Sequence, residues 1–171
     1  MKKVAISLSL FFIMLTSVSA QKFALVDMEY IMKNIPAYES ANEQLTQVSD
    51  KWQKEVEAIN LEAETMYKNY QTELVFMSPD MKTKRENEIV EKEKAAQDLK
   101  RQYFGSDGEL FKKRESLMKP IQDEIYNAIK TISDEKAYQL VLDKNSSMNL
   151  IYASSKIDIS DEVLLKLGYS K

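Results

Sequence analysis

The longest hydrophobic pattern in the chain recurs every three or four residues between Tyr38 and Met77. Its members are Tyr38, Ala41, Leu45, Val48, Trp52, Val56, Ile59, Ala63, Met66, Tyr70, Leu74 and Met77. A mean spacing of about 3.5 residues is typical of a helix that packs along a seam in a coiled coil. The pattern therefore predicts one helix of roughly forty residues, which would extend about 60 Å.

The segment FMSPDM, residues 76–81, carries the signals that reverse the chain. Ser78 can cap a new helix, Pro79 suits the first helical position, and Asp80 lies near the positive end of that helix. We therefore expect a helical hairpin with its tip near residues 76–81. The apolar positions of the return helix are more widely spaced, at Ile89, Ala96, Leu99, Tyr103, Leu110 and Leu117.

Two segments of the return helix contain residues that disfavour helix. FGSDG, residues 104–108, holds two glycines, which weaken a helix by about 1 kcal/mol each relative to alanine. We expect a flexible point there, with a true break as the alternative. Pro120 lies inside the helical pattern RESLMKPIQDEIYNAI, residues 114–129, where a proline costs about 3 kcal/mol. A bend at Pro120 can be accommodated because the apolar face continues on both sides of it.

The two ends of the chain are rich in β-forming residues. KFALVD (22–27), YQLVLD (138–143) and NLIYAS (149–154) predict strands, the last two on either side of a polar turn. These strands are too few and too short for an independently stable sheet, so we expect subunits to complete it together. The residues expected in this shared body are Leu25, Val26, Leu140, Val141, Leu142 and Ile151.

Capping residues define two short helices near these strands. Asp27 can cap a helix that begins near Met28 and ends at Pro36. Ser160 can cap a last helix, which Gly168 ends.

The predicted fold class is α+β and predominantly α. Residues 21–36 and 120–171 are expected to form the small β body, and residues 37–119 the helical-hairpin arm. A periodic seam by itself allows a dimer, a trimer or a lone hairpin.

The first twenty residues predict a signal peptide, which makes the periplasm the expected location. Lys2 and Lys3 precede an apolar run that is about a dozen residues long, short of the roughly 20 that span a bilayer. The small residues that end at Ala20 form a cleavage site, so export with cleavage after Ala20 is expected rather than a permanent anchor.

Composition excludes most catalytic chemistry. The chain has no His and no Cys, which removes histidine general bases, cysteine nucleophiles and the usual zinc sites. It also has no glycine-rich phosphate loop, nucleophile elbow or metal-ligand constellation. We therefore expect no enzyme activity, cofactor or metal, and a function that depends on shape and surface.

Charge patterning argues against nucleic acid as a partner. In KTKRENEIVEKEKAAQDLKR, residues 82–101, acidic and basic residues alternate, which indicates a solvated helix face with i to i+4 pairs rather than a site for nucleic acid or lipid headgroups. The carboxylates of DISDE, residues 158–162, are better explained by helix capping than by calcium binding.

Four segments resemble the Skp/OmpH-like family of periplasmic chaperones: FALVDMEYIMKNIPAYESANEQL, LMKPIQDEIYNAIKTIS, YQLVLD and DISDEVLLKLG. With the signal peptide and the hairpin between them, the resemblance covers essentially the whole mature chain. It implies a jellyfish-like homotrimer in which strands from three chains form a β body and three arms enclose a cavity. It also implies that unfolded outer-membrane β-barrel proteins are held in that cavity without ATP.

The net charge departs from this family, whose well-studied members are strongly basic. The full chain carries −3, and loss of Lys2 and Lys3 with the signal peptide makes the mature charge −5. Residues 37–77 hold three Lys and eight acids, net −5, whereas residues 80–119 hold eleven Lys or Arg and nine acids, net +2. Steering of acidic partners by global charge is therefore not expected.

Methionine and aromatic residues on the arm are the candidates for contact with unfolded chains, because such side chains adapt to many apolar partners. The candidates are Tyr67, Phe76, Met77, Met81 and Phe104. The alternative is that these residues pack within the hairpin itself. Two readings of the whole chain also stay open: a structural coiled-coil adaptor or spacer of the envelope that binds one folded partner, and a transient contact with the membrane surface.

Overall fold

The computed structural model describes residues 22–146 and 150–169, so the predicted signal peptide lies outside the described residues. In chain order the elements are β1 (Lys22–Val26), α1 (Met28–Lys33), α2 (Pro36–Glu73), a 3-10 turn (Leu74–Phe76), α3 (Pro79–Phe104), α4 (Glu109–Lys136), β2 (Tyr138–Asp143), a 3-10 turn (Ser155–Ile157) and α5 (Ser160–Lys166). The predicted α-rich α+β fold with a long helical hairpin is therefore confirmed.

The chain divides into two compact units. The hairpin unit is Met32–Glu124, and the sheet unit comprises the described parts of Met1–Ile31 and Ile125–Lys171.

In the hairpin unit, α2 and α3 pack against each other along the predicted seam. Every seam position named above is buried or half-buried in the structure. The fully covered ones are Ala41, Leu45, Val56, Ala63, Ile89 and Ala96. Small alanines at three of these positions let the two helices approach closely, so packing along the seam holds the hairpin together.

Polar contacts between the helices establish that they run antiparallel. Near the tip, the Tyr70 hydroxyl donates a hydrogen bond to the carboxylate of Glu86. Further along, Lys92 Nζ lies 2.9 Å from Glu62 Oε2. The later a residue comes in α3, the earlier its partner comes in α2, as a hairpin requires.

The reversal at the tip follows the predicted capping pattern. The Ser78 hydroxyl accepts a hydrogen bond from the Met81 N–H at 3.4 Å, and Pro79 occupies the first helical position. Ser78 thus satisfies one of the backbone donors that a helix leaves unpaired at its start.

The two glycines of FGSDG form a true break between α3 and α4. The Gly105 N–H donates to the Arg101 carbonyl at 2.8 Å, and a Cβ on Gly105 would lie 2.5 Å from that same oxygen. A Cβ on Gly108 would lie 2.7 Å from the Tyr103 carbonyl. Both contacts are closer than side-chain carbons tolerate, so this closely packed joint requires glycine at both positions.

Helix α4 continues through Pro120 without interruption. Proline cannot donate a hydrogen bond to the carbonyl of Ser116, four residues earlier. Because Ser116 and Pro120 are both exposed, water can take the place of that bond.

In the sheet unit, β1 and β2 pair in parallel, with Phe23 opposite Leu140 and Leu25 opposite Leu142. On its other side Leu25 bridges to Asp158, and its carbonyl accepts from the Ile159 N–H at 2.9 Å. The side chains buried in this unit include Ala24, Leu25, Val26, Ile31, Ile125, Ile132, Ile159, Val163 and Leu164.

The strand predicted at 149–154 is wrong for the part that the structure describes. Residues 150–154 have no regular structure, and Ile151 is 99% exposed. Before that segment, the Lys144 N–H donates to the Val26 carbonyl at 2.8 Å, which continues the pairing of β1 and β2 past Asp143.

The cap of the last helix is also corrected. Helix α5 begins at Ser160, and its N-cap residue is Ile159, which makes no side-chain capping bond. The Ser160 N–H donates to Asp158 Oδ1 at 2.9 Å, so Ser160 is not the cap. The buried Ser160 hydroxyl instead accepts from the Asp27 N–H at 2.8 Å. At the other end, the helix stops before Gly168 as predicted. Asp27 caps α1 as predicted, accepting from the Tyr30 N–H at 2.8 Å.

Candidate functional site

Apolar side chains project into solvent at the end of the hairpin. We call Val75, Phe76, Met77 and Met81 the tip patch. Phe76 is 87% exposed, Val75 79% and Met81 55%, whereas Met77 is half-buried. Val75 and Phe76 belong to the 3-10 turn but lie off the seam, so the facing helix does not cover their side chains. Such exposure is typical of a surface that binds another molecule.

The structure does not place the five predicted contact residues on one surface. Phe76, Met77 and Met81 lie together at the tip, and Tyr67 is half-exposed on α2. Phe104 lies at the opposite end of α3, a helix of 26 residues. At 1.5 Å per residue that separation is about 39 Å. Sequence reasoning missed Val75, although its position off the seam is the same signal that identified Phe76.

Phe104 lies beside an aromatic pair that belongs to the hairpin seam. The rings of Trp52 and Tyr103 stack with centroids 4.6 Å apart and planes inclined by 7°. The Tyr103 hydroxyl donates to Glu55 Oε2 at 2.7 Å, a hydrogen bond that raises the pKa of Tyr103. The Phe104 ring meets the Tyr103 ring edge-on at 6.3 Å. Trp52 and Tyr103 therefore pack within the hairpin, and Phe104 is half-buried at the margin of this pair.

The sheet unit has a second set of exposed apolar side chains. On one face Phe23 and Leu140 are cross-strand partners, 52% and 53% exposed. Three more follow β2: Leu150, Ile151 and Tyr152. Among the predicted body residues, Leu25 and Val26 are buried, Val141 and Leu142 are half-buried, and Leu140 and Ile151 are exposed. A two-stranded sheet with this much uncovered apolar surface is marginally stable in water by itself.

A polar network fixes the ends of both strands to the last helix. Lys144 Nζ lies 2.8 Å from Asp158 Oδ2 and 3.2 Å from Asp27 Oδ2. The hydrogen bond with Asp158 is the main cause that raises the pKa of Lys144. Burial acts to raise the pKa of Asp158, but hydrogen bonds from Lys144 and Ser160 outweigh burial and lower it. These groups satisfy one another, so the network holds the fold together.

We expect Lys144→Met to destabilise the sheet unit by about 1–3 kcal/mol, because it leaves two partly buried carboxylates without their shared cation. The matched control is Lys119→Met, which removes an exposed helix pair with Asp123 and should cost less than about 0.5 kcal/mol. Denaturant unfolding at fixed protein concentration measures both changes. An equal effect of the two substitutions would contradict the role given to Lys144.

The same network predicts how stability depends on pH. The pKa of Asp158 in the folded chain lies below its ordinary value of 3.8. The stabilisation of the folded chain by ionised Asp158 is therefore complete above that pH. It is lost as the pH falls through the pKa that Asp158 has in the folded chain. Lys144→Met should remove part of this acid sensitivity, which unfolding curves at several acidic pH values would show.

Within the described ranges, 22–146 and 150–169, no helix is both long and apolar enough to cross a membrane.

The chain as a whole is similar to known proteins of one family. A family model described as "Outer membrane protein (OmpH-like)" matches residues 22–167. The chain is 28% identical over 162 residues to the chaperone protein Skp of Yersinia enterocolitica, with 94% of each protein covered. A crystal structure of an OmpH-like outer membrane chaperone from Caulobacter crescentus has the same fold, with a TM-score of 0.68 at 13% identity. That match covers 85% of this chain and 82% of the other.

Proposed function

Because this chain belongs to the Skp/OmpH-like family of outer membrane chaperones, we propose that it is an ATP-independent periplasmic holdase. In this proposal it binds unfolded outer-membrane proteins and keeps them soluble until they insert into the membrane. The observation that carries the proposal is the tip patch, where Val75, Phe76 and Met81 are exposed at the end of a closely packed hairpin.

The chemistry of the tip patch suits unfolded partners. Unfolded β-barrel chains expose apolar side chains of many sizes, and a flexible methionine or a flat aromatic ring packs against most of them. Each such contact is weak, so a client can exchange it for contacts of its own fold. Release by exchange needs no nucleotide, in keeping with a sequence that has no phosphate-binding loop.

The same proposal includes assembly into a homotrimer through the sheet unit. Phe23, Leu140, Ile151 and Tyr152 remain largely uncovered in the single chain, which supports an interface there. The number of subunits comes from the family resemblance, and export to the periplasm from the sequence of the first twenty residues.

Mixing experiments test the proposed function directly. We expect the purified mature protein to keep a urea-diluted outer-membrane barrel in solution as a complex that sedimentation can isolate. An unfolded soluble protein serves as a comparison for client choice, and a folded soluble protein as the negative control. A structural spacer would leave both unfolded proteins to aggregate, so that result would refute the holdase proposal.

A further inference from the structure

The break between α3 and α4 opens a groove on the hairpin unit. The groove has a volume of about 400 Å³ and is lined by Phe104, Gly105, Ser106, Leu110, Phe111 and Arg114. Phe111 is 47% exposed, and Phe104 and Leu110 are half-buried. The two helix ends thus leave an open groove with three apolar side chains along it.

The groove lies in a basic segment of the arm. Residues 100–114 contain five Lys or Arg and two acids, net +3, although the full chain carries −3. The two acids do little to neutralise the positive charge of this segment. Within the segment, all of which the structure describes, the one ion pair joins Lys112 to Glu109 at 3.3 Å. Lys100, Lys113 and Arg114 form no ion pair with any residue that the structure describes.

We propose that this groove is a second binding site for unfolded chains, selective for an apolar or aromatic side chain with carboxylates beside it. The inference rests on the proposed holdase function and adds to it a site with its own preference. We call the three apolar residues and Arg114 the break site. Phe104, Leu110 and Phe111 would contact the apolar side chain, and Arg114 would pair with a neighbouring carboxylate.

The size of the groove fits a segment of extended chain. A volume of 400 Å³ is at the lower end of the roughly 300–1,000 Å³ typical of ligand pockets, which suits one or two side chains rather than a folded surface. The break site and the tip patch lie at opposite ends of α3, about 39 Å apart. Roughly a dozen extended residues cover that distance, so one client segment can occupy both sites.

Peptide binding to the full mature protein tests the preference. The probes are fluorescent dodecapeptides of Gly and Ser with a central Phe flanked by Asp, the same peptide flanked by Lys, and an Asp-flanked peptide with Ser in place of Phe. At low salt we expect the Phe–Asp peptide to bind at least about five-fold more tightly than either of the others. Equal affinity for the three peptides would overturn the proposal.

Substitutions then locate the preference on the groove. Arg114→Glu should remove or reverse the preference for Asp over Lys, and Phe111→Ser should weaken binding of both Phe peptides by about three- to ten-fold. The matched controls lie on α3: Lys94→Glu, also an exposed cation, and Val90→Ser, which replaces an apolar residue that is 60% exposed. Each control should change affinity by less than about two-fold. Equal effects of site and control variants would show that the groove is not the site.

Photo-crosslinking tests the site without removing any contact that holds the chain together. A photoreactive phenylalanine analogue at position 111 should crosslink to urea-unfolded barrel, and the same analogue at position 90 should crosslink far less. Equal yields, or none at 111, would overturn the break site.

Aggregation suppression separates the two proposals. If the wild-type protein keeps the barrel soluble but the analogue at position 111 does not crosslink, the holdase function stands and only this site is lost. A wild-type protein that cannot hold the barrel refutes both.

Discussion

Leu140→Asp should dissociate the proposed trimer into single chains. Leu140 is 53% exposed in the isolated chain and sits opposite Phe23 on the open face of the sheet, so a carboxylate there remains hydrated in the monomer. If subunits cover this face, each copy would bury an unpaired charge, at a cost of several kcal/mol per ion. Because about 1.4 kcal/mol changes an equilibrium constant tenfold, assembly at micromolar concentration should be lost.

Sedimentation equilibrium, or light scattering during gel filtration, measures the mass. The matched control is Leu165→Asp on α5, which introduces the same charge at a leucine that is 67% exposed in the same unit. The control should keep the wild-type mass, and circular dichroism should show unchanged helix in both variants. A Leu140→Asp protein with the wild-type mass would mean that subunits meet elsewhere.

The hairpin could be predicted from local sequence signals, because the spacing of its seam residues follows the repeat of the helix itself. Between Tyr38 and Met77 each seam residue predicts the next one three or four positions away, and each lies buried or half-buried in the structure. The tip needed only the adjacent Ser78 and Pro79. The glycines at 105 and 108 left two outcomes open, since the choice of a true break depends on how closely the backbone of Arg101 and Tyr103 approaches them.

The sheet unit was harder to predict because its contacts join residues far apart in the chain. Strand propensity identified β1 and β2, but their parallel pairing connects positions more than a hundred residues apart. Lys144 gives no local sign that it pairs with Asp27 and Asp158. The β-rich residues 150–154 form no strand in the structure, because strand propensity alone does not decide whether a partner edge is available.

The exposure and grouping of the candidate binding residues were predicted only in part, for a related reason. Position relative to the seam indicates which side chains the partner helix leaves uncovered, and Phe76 is 87% exposed as that reasoning requires. Position alone cannot show which uncovered side chains lie together. The helix break brings Leu110 and Phe111 to the same groove as Phe104, and only the structure could show that grouping.

Removing the apolar side chains of the tip patch should weaken client binding while the oligomer persists. The triple variant Val75→Ser, Phe76→Ser and Met81→Ser replaces three exposed residues, so no buried seam contact is lost. If each side chain contributes about 0.5–1 kcal/mol through partial burial against the client, their loss totals about 1.5–3 kcal/mol. Affinity for an unfolded barrel should then fall by roughly ten- to a hundred-fold.

The matched control removes exposed apolar side chains from the shaft of the hairpin instead. Leu61→Ser together with Val90→Ser replaces residues that are 61% and 60% exposed, so general surface hydrophobicity falls without a change at the tip. Aggregation suppression and the affinity for a labelled barrel should stay near wild type in the control and drop sharply in the tip variant. Both proteins should keep the wild-type oligomer mass. Equal losses would mean that clients bind along the whole arm, and full activity of the tip variant would exclude the tip patch as a client site.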